Sequence, residues 1–118
     1  MIVEDEIIQA MFLGKVLELW GYEICETATS GEDAIKEAEI QGPDLVIMDI
    51  NIHGLTSGIE AAGKIRSQFG IPVIFMTGYS DEATRQRAYD AHPAGYFVKP
   101  LNYDKLKELL TLIMPQGK

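Results

Sequence analysis

The chain is expected to fold as strand–helix units around a parallel sheet, and three patterns support this. Four short apolar runs, Met1-Ile2-Val3, Leu45–Met48, Val73–Met76 and Tyr96–Val98, lack the polar alternation of a half-exposed strand. They read as strands buried on both faces. The stretches between them carry helical periodicity and capping signals, so strand and helix alternate along the chain. Each apolar run also stops at a residue that carries chemistry: Glu4-Asp5, Asp49, Thr77 and Lys99. Open α/β sheets bind ligands outside the C-terminal ends of their strands. Three acids, a hydroxyl and an ammonium on that edge suit phosphoryl transfer to a carboxylate. Two acids can hold a divalent cation, one can be the nucleophile, and the hydroxyl and ammonium can hold the oxygens of the transferred group.

The first run has three residues before Glu4, below the roughly five or six of an ordinary strand. The natural chain is therefore expected to begin a few residues upstream. Ile8, Phe12, Val16 and Trp20 recur every four residues and mark a first helix, with Gly21 as its C-cap. Glu23–Ala28 reads as a second strand. Thr29-Ser30-Gly31-Glu32 has the form of a capping box opening a helix to about Gln41, and Gly42-Pro43 stops it before the Asp49 strand. Ile59, Ala62, Ile65 and Phe69 stripe a third helix ended by Gly70, and Pro72 opens the next strand. Asp81–Ala91 is the weakest helix. Its apolar positions are Ala83, Ala88, Tyr89 and Ala91, so it buries little area, as fits either a switching element or a small exposed helix. Leu106, Leu109, Leu110 and Ile113 define a last helix, with Asn102 as N-cap and Pro115 as stop.

At 118 residues the chain is expected to be one domain, spanning 1–118, with a real hydrophobic core. Its 47% hydrophobic and 24% charged residues are those of an ordinary globular protein. No apolar stretch approaches the roughly 20 residues of a membrane span, and acids interrupt the N-terminal apolar segment too early for a signal peptide. Cys25 is the single cysteine, which excludes an intrachain disulfide and fits a reducing, cytoplasmic setting. The formal charge is −8, and basic residues are interspersed with acids, so no nucleic-acid interface is expected. Any output must come from a partner protein or a further domain.

The ordered set Val3-Glu4-Asp5, Asp49, Phe75-Met76-Thr77-Gly78 and Gly95-Tyr96-Phe97-Val98-Lys99-Pro100 resembles the receiver domain of two-component response regulators, and the resemblance covers the whole chain. It implies a flavodoxin-like (βα)5 fold, a doubly wound parallel five-stranded sheet in the order 2-1-3-4-5 within a three-layer sandwich. It implies Asp49 as the phosphoacceptor, taking a phosphoryl group from the phosphohistidine of a sensor histidine kinase. The same resemblance assigns Mg²⁺ (or Mn²⁺) to Asp5, Asp49 and the backbone carbonyl of Asn51, with Glu4 acting through a metal-bound water. Lys99, the Thr77 hydroxyl and the Gly78 amide would hold phosphoryl oxygens. Thr77 and Tyr96 would form the switch, and Lys99-Pro100 would be a cis peptide. The switched face would comprise the fourth helix (Asp81–Ala91), fifth strand (Tyr96–Val98) and fifth helix (Tyr103–Met114). Arg85 and Arg87 opposite Asp104 and Glu108 could also favour a symmetric homodimer or a kinase contact through it. Such a domain catalyses its own phosphorylation and dephosphorylation and does not turn over an external substrate. Asn51 and Tyr79, two residues beyond Asp49 and Thr77, would then flank the path of a hydrolytic water.

The sequence departs from the family after Asp49. Many receivers carry a proline four residues on and a glycine eight on; here His53 takes the first position and Gly58 comes nine on. The loop Ile50–Ser57 is thus one residue longer, and His53 and His92 read as exposed loop residues. Three rival functions each meet an obstacle in the sequence. A flavin module needs a Ser/Thr/Gly-rich phosphate loop where this chain has Glu4-Asp5-Glu6. A haloacid-dehalogenase-type phosphatase needs an Asp where Asn51 stands. A phosphorylation-independent pseudo-receiver adaptor is opposed by the presence of Asp49, Thr77 and Lys99. The loop length and the Gly58-Ile59-Glu60-Ala61-Ala62 helix start also resemble receivers joined to sensor kinases.

Overall fold

A computed structural model describes residues 1–52, 54, 56–78 and 81–114. The four apolar runs form parallel strands β1 (Ile2–Val3), β2 (Val46–Asp49), β3 (Val73–Thr77) and β4 (Gly95–Val98), hydrogen-bonded in the order β1-β2-β3-β4. The helices are α1 (Ile7–Leu19), α2 (Gly31–Gln41), α3 (Gly58–Phe69), α4 (Glu82–Asp90) and α5 (Tyr103–Ile113). β2 and β3 are buried along their whole length, which explains their unbroken apolar sequences.

Strand alternation sorts side chains onto two faces. Val3, Met48, Phe75 and Tyr96 pack with Ala34 and Ala38 of α2, Ala61 and Ile65 of α3, and Ala88 of α4. Ile47, Ile74, Met76 and Phe97 pack with Leu13 and Leu17 of α1 and Leu106 and Leu110 of α5. Helices therefore cover both faces, giving three layers with every strand C-terminus on one edge.

The expected second strand is a departure. Glu23–Thr27 forms no strand, and Cys25 within it is half-buried. Pairing outside β1 shrinks to a parallel bridge between Val3 and Ala28, closed by Glu4 N–H to Ala28 O and Ala28 N–H to Ile2 O, both 3.0 Å. The reason is that β1 is two residues long and cannot carry a longer ladder. Four regular strands stand where five were expected, and the order 2-1-3-4-5 is not realised as a five-stranded ladder.

Two helix readings also change. The Ile8–Phe12–Val16–Trp20 repeat located α1, yet Ala10, Leu13 and Leu17 form its buried face. Ile8 and Phe12 remain 81% and 58% exposed. At α2 the N-cap is Ser30, whose hydroxyl accepts from Asp33 N–H at 3.1 Å. Glu32 instead accepts from Thr56 N–H at 3.1 Å, tying α2 to the loop before α3. Asn102 caps α5 as expected, accepting from Lys105 N–H, and Asp81 caps α4 by accepting from Thr84 N–H. At the end of α1 the C-cap is Trp20 and not the expected Gly21, which follows it at φ 93°. α4 buries only Ala88, as its composition anticipated. Of the loop readings, His53, Tyr79 and Pro115 lie outside the described residues.

Gly58 sets how closely α3 approaches the end of β2. A Cβ there would lie 2.7 Å from the Asp49 carbonyl oxygen and 3.0 Å from Ile50 Cα, both backbone atoms with little freedom to yield. Gly58→Ala should lower unfolding free energy by about 1–3 kcal/mol, the usual cost of overpacking. Urea denaturation measures this, and an unchanged midpoint would contradict the close approach.

Candidate functional site

Parallel pairing places Asp49 at the end of β2, Thr77 at the end of β3, Glu4-Asp5 just past β1 and Lys99 just past β4. Elements far apart in sequence thus deliver their polar residues to one edge. Glu4, Asp49 and Thr77 are the buried polar residues among those described, at 2%, 5% and 0% exposure. Buried carboxylates are costly unless paired and hydrogen-bonded, and both acids are.

The Lys99 ammonium donates to Glu4 Oε1 and Asp49 Oδ2, each at 3.0 Å. Asp49 Oδ1 accepts from Asn51 N–H at 2.9 Å, and Glu4 Oε2 accepts from Glu6 N–H at 3.2 Å. Asn51 Nδ2 donates to Thr77 Oγ1 at 2.9 Å, linking the residue two beyond Asp49 to the hydroxyl on the next strand. The Thr77 carbonyl in turn accepts from Lys99 N–H at 2.7 Å. The Lys99-Pro100 peptide is cis.

The electrostatics follow from this crowding. Burial pushes the Glu4 carboxyl above its ordinary value, and the nearby Asp49 charge adds to that push against the Lys99 and Glu6 hydrogen bonds. Partial burial alone would lower Lys99, but hydrogen bonds and charge from Asp49 and Glu4 together outweigh it and hold the ammonium above the usual lysine value. Glu4, Asp5 and Asp49 each present a carboxylate oxygen within 4.8 Å of the other two. Hard oxygen donors in excess over one ammonium fit a small divalent cation such as Mg²⁺.

The sequence-derived residues Glu4, Asp5, Asp49, Asn51, Thr77 and Lys99 therefore converge. Gly78 follows Thr77 at the same edge and is exposed. Tyr96 lies on the edge strand β4, three residues before Lys99, and is half-buried, its ring 5.5 Å from Tyr89 with the Arg85 guanidinium 5.6 Å above it. Its pairing with Phe75 in β3–β4, two residues before Thr77, puts it behind the site. Sequence reasoning missed Gln9, whose Oε1 accepts from the Lys99 ammonium at 2.7 Å. A glutamine on an exposed helix turn belongs to no motif, and only the fold brings it to Lys99. A cavity of about 640 Å³ opens beside the site, between Phe12, Gly78, Lys99, Leu101 and Tyr103.

Lys99→Met would leave two buried carboxylates facing each other without their cation. We expect a loss of about 1–3 kcal/mol in buffer without divalent ions, below the roughly 3–5 kcal/mol of a fully buried pair because this edge is partly solvated. Lys99 titrates above its unfolded value, so the contribution is fully present below the unfolded lysine pKa. It is lost as pH rises through the folded one. Urea midpoints at neutral pH measure the effect; equal midpoints would show that the ammonium offsets no repulsion.

Comparison with known proteins places this edge in context. Residues 1–111 match the family model of the response regulator receiver domain. The chain is 39% identical over 106 residues to the transcriptional regulatory protein PdtaR of Mycobacterium tuberculosis, covering 90% of this chain and 51% of that protein. It is 32% identical over 111 residues to ZraR of Salmonella typhimurium, covering 93% of this chain and 25% of that one. The chain thus spans about half of the first regulator's length and a quarter of the second's. The signal receiver domain of a modulated diguanylate cyclase from Desulfovibrio desulfuricans superposes with a TM-score of 0.89 at 34% identity, over 96% of this chain and 90% of that one. A DNA-binding response regulator of the LuxR family from Staphylococcus aureus superposes at 0.86 with 27% identity, over 95% and 94%. The flavodoxin-like α/β receiver fold is shared, and this chain belongs to the response regulator receiver family.

Proposed function

We propose that this chain accepts a phosphoryl group on Asp49 from the phosphohistidine of a sensor histidine kinase, in a Mg²⁺-dependent (or Mn²⁺-dependent) reaction. The observation that carries the reading is the Asp49 carboxylate held 3.0 Å from the Lys99 ammonium inside a cluster with Glu4 and Asp5. An Asp49 oxygen attacks phosphorus, the phosphorus–nitrogen bond to the donor imidazole breaks, and its electron pair stays on the imidazole nitrogen. The product is an acyl phosphate on Asp49. Asp5, Asp49 and the Asn51 carbonyl would hold the cation, with Glu4 acting through a bound water. When bound, the cation supplies charge neutralisation for the phosphoryl oxygens.

This chain's own groups do the rest. Lys99 suits a point-charge task at a second phosphoryl oxygen. The Thr77 hydroxyl and Gly78 amide would take a third, with the Thr77 hydroxyl moving toward it and away from the Asn51 amide. Because Thr77 leads into the segment before α4 and Lys99 leads out of β4, drawing both inward biases α4, which buries only Ala88. Tyr96 would turn inward behind Thr77. The switched surface is then α4, β4 and α5, available for a homodimer or an effector, though exposed charge pairs there add only about 0–1 kcal/mol each. No helix among the described residues is long and apolar enough to cross a membrane. A histidine kinase partner would place the chain in the cytoplasm, and its formal charge of −8 disfavours direct nucleic-acid binding.

Two measurements test the reading. Mg²⁺ should raise thermal stability, by about 1.4 kcal/mol at ten times its dissociation constant, an upward shift of roughly 5 °C. Phosphorylation by a small donor such as phosphoramidate should require Mg²⁺ and disappear in Asp5→Ala, while that variant keeps its fold because it loses a repelled charge at the edge. Unchanged labelling in Asp5→Ala would sink the metal assignment. No labelling of the folded native chain under any divalent ion would favour the pseudo-receiver adaptor.

A further inference from the structure

Lys99 has three ammonium hydrogens and, among the described residues, three acceptors: Glu4 Oε1 at 3.0 Å, Asp49 Oδ2 at 3.0 Å and Gln9 Oε1 at 2.7 Å. The Gln9 contact is the shortest of the three and the one from a neutral group. Gln9 sits in the first turn of α1, and its Nε2 donates to Glu6 Oε1, the side chain of the α1 N-cap residue. That second bond fixes the amide orientation, because a flipped amide would aim N–H at the ammonium and its carbonyl oxygen at a carboxylate. Gln9 thus bridges the start of α1 to the cation that follows β4.

The geometry points to Gln9 as a positioning residue for Lys99, an uncharged third leg that holds the ammonium over Asp49 without touching the reacting atoms. The consequence for phosphoryl transfer rests on the function proposed above; the anchoring of Lys99 does not. When Asp49 becomes an acyl phosphate, its carboxylate charge moves out to the phosphoryl oxygens, and the Lys99 hydrogen bond follows it. The bonds to Glu4 and Gln9 need not change in that exchange. Two fixed legs and one that swaps keep a long flexible side chain in place, and a group already in place at reaction needs no reorganisation. Neutrality matters too. A carboxylate at this position would add a fourth negative charge where a phosphoryl group must enter, and an aliphatic side chain would leave one ammonium hydrogen to solvent.

The test has two arms. In the first, without divalent ion or phosphodonor, ¹⁵N NMR observes the Lys99 ammonium, whose hydrogens exchange slowly only while all are bonded. The resolved signal should be present in the native chain and lost in Gln9→Leu. It should also be lost in Gln9→Asn, which keeps the amide but falls one methylene short. Gln9→Glu, which restores an acceptor, should keep it. A Lys99 signal unchanged in Gln9→Leu overturns the proposal whatever the kinetics. In the second arm, the phosphorylation rate with phosphoramidate at saturating Mg²⁺ should fall roughly five- to tenfold in Gln9→Leu and Gln9→Asn. A lost signal with an unchanged rate would overturn the positioning role. If the native chain takes no label, the function proposed above fails, and the NMR arm still decides whether Gln9 anchors Lys99.

Discussion

The Lys99 ammonium is the contact on which the rest of the site depends. Glu4 and Asp49 are carboxylates buried at the ends of two adjacent strands, and neither would be tolerated there unpaired. Lys99 reaches both from the far side of β3, so one cation spans the edge from β1 to β4. Its backbone is equally constrained, since Lys99 N–H is bonded to the Thr77 carbonyl. A movement of Thr77 therefore cannot be independent of Lys99. The sheet supplies the rigidity: β2 and β3 are fully buried, and helices from both layers pack on them.

The same arrangement explains where compliance resides. α2 and α3 are joined through Glu32 to Thr56, and α3 abuts the β2 end at Gly58. Among the described residues α4 has no comparable anchorage. It buries one alanine, and beyond that the aromatic contact of Tyr89 with Tyr96 and the Arg85 guanidinium over the same ring link it to β4. Under the proposed function, a rearrangement begun at Thr77 and Lys99 would meet least resistance there. A ligand shifts an equilibrium only through contacts that differ between states, and under the proposed function the Asn51–Thr77 hydrogen bond would be such a contact.

Much of this was legible in the sequence because the strands are buried on both faces and the chemistry sits at their ends. Unbroken apolar runs closing on Glu4-Asp5, Asp49, Thr77 and Lys99 gave four strands and the edge together. The strand expected at Glu23–Ala28 failed because its extent depends on β1, and two paired residues there leave Ala28 alone to bridge. α1 misled for another reason. It is apolar on two sides, so the Ile8–Phe12–Val16 stripe and the Ala10–Leu13–Leu17 stripe both have helical spacing, and only packing on Ile2, Ile47 and Ile74 selects the second. Gln9 was invisible because its role comes from a contact across 90 residues. Thr29 and Glu32 matched a capping box, yet Ser30 caps the helix and Glu32 serves a neighbouring loop.

The central claim is that Asp49, among three clustered carboxylates, is the one that carries the phosphoryl group. Borohydride reduces an acyl phosphate to an alcohol, so a phosphorylated aspartate becomes homoserine, which peptide mass spectrometry can locate. After treatment with phosphoramidate and Mg²⁺, the account predicts homoserine at position 49 and unmodified Glu4 and Asp5. Reduction at either of those residues, or none in a folded chain that has taken up phosphate, would contradict it.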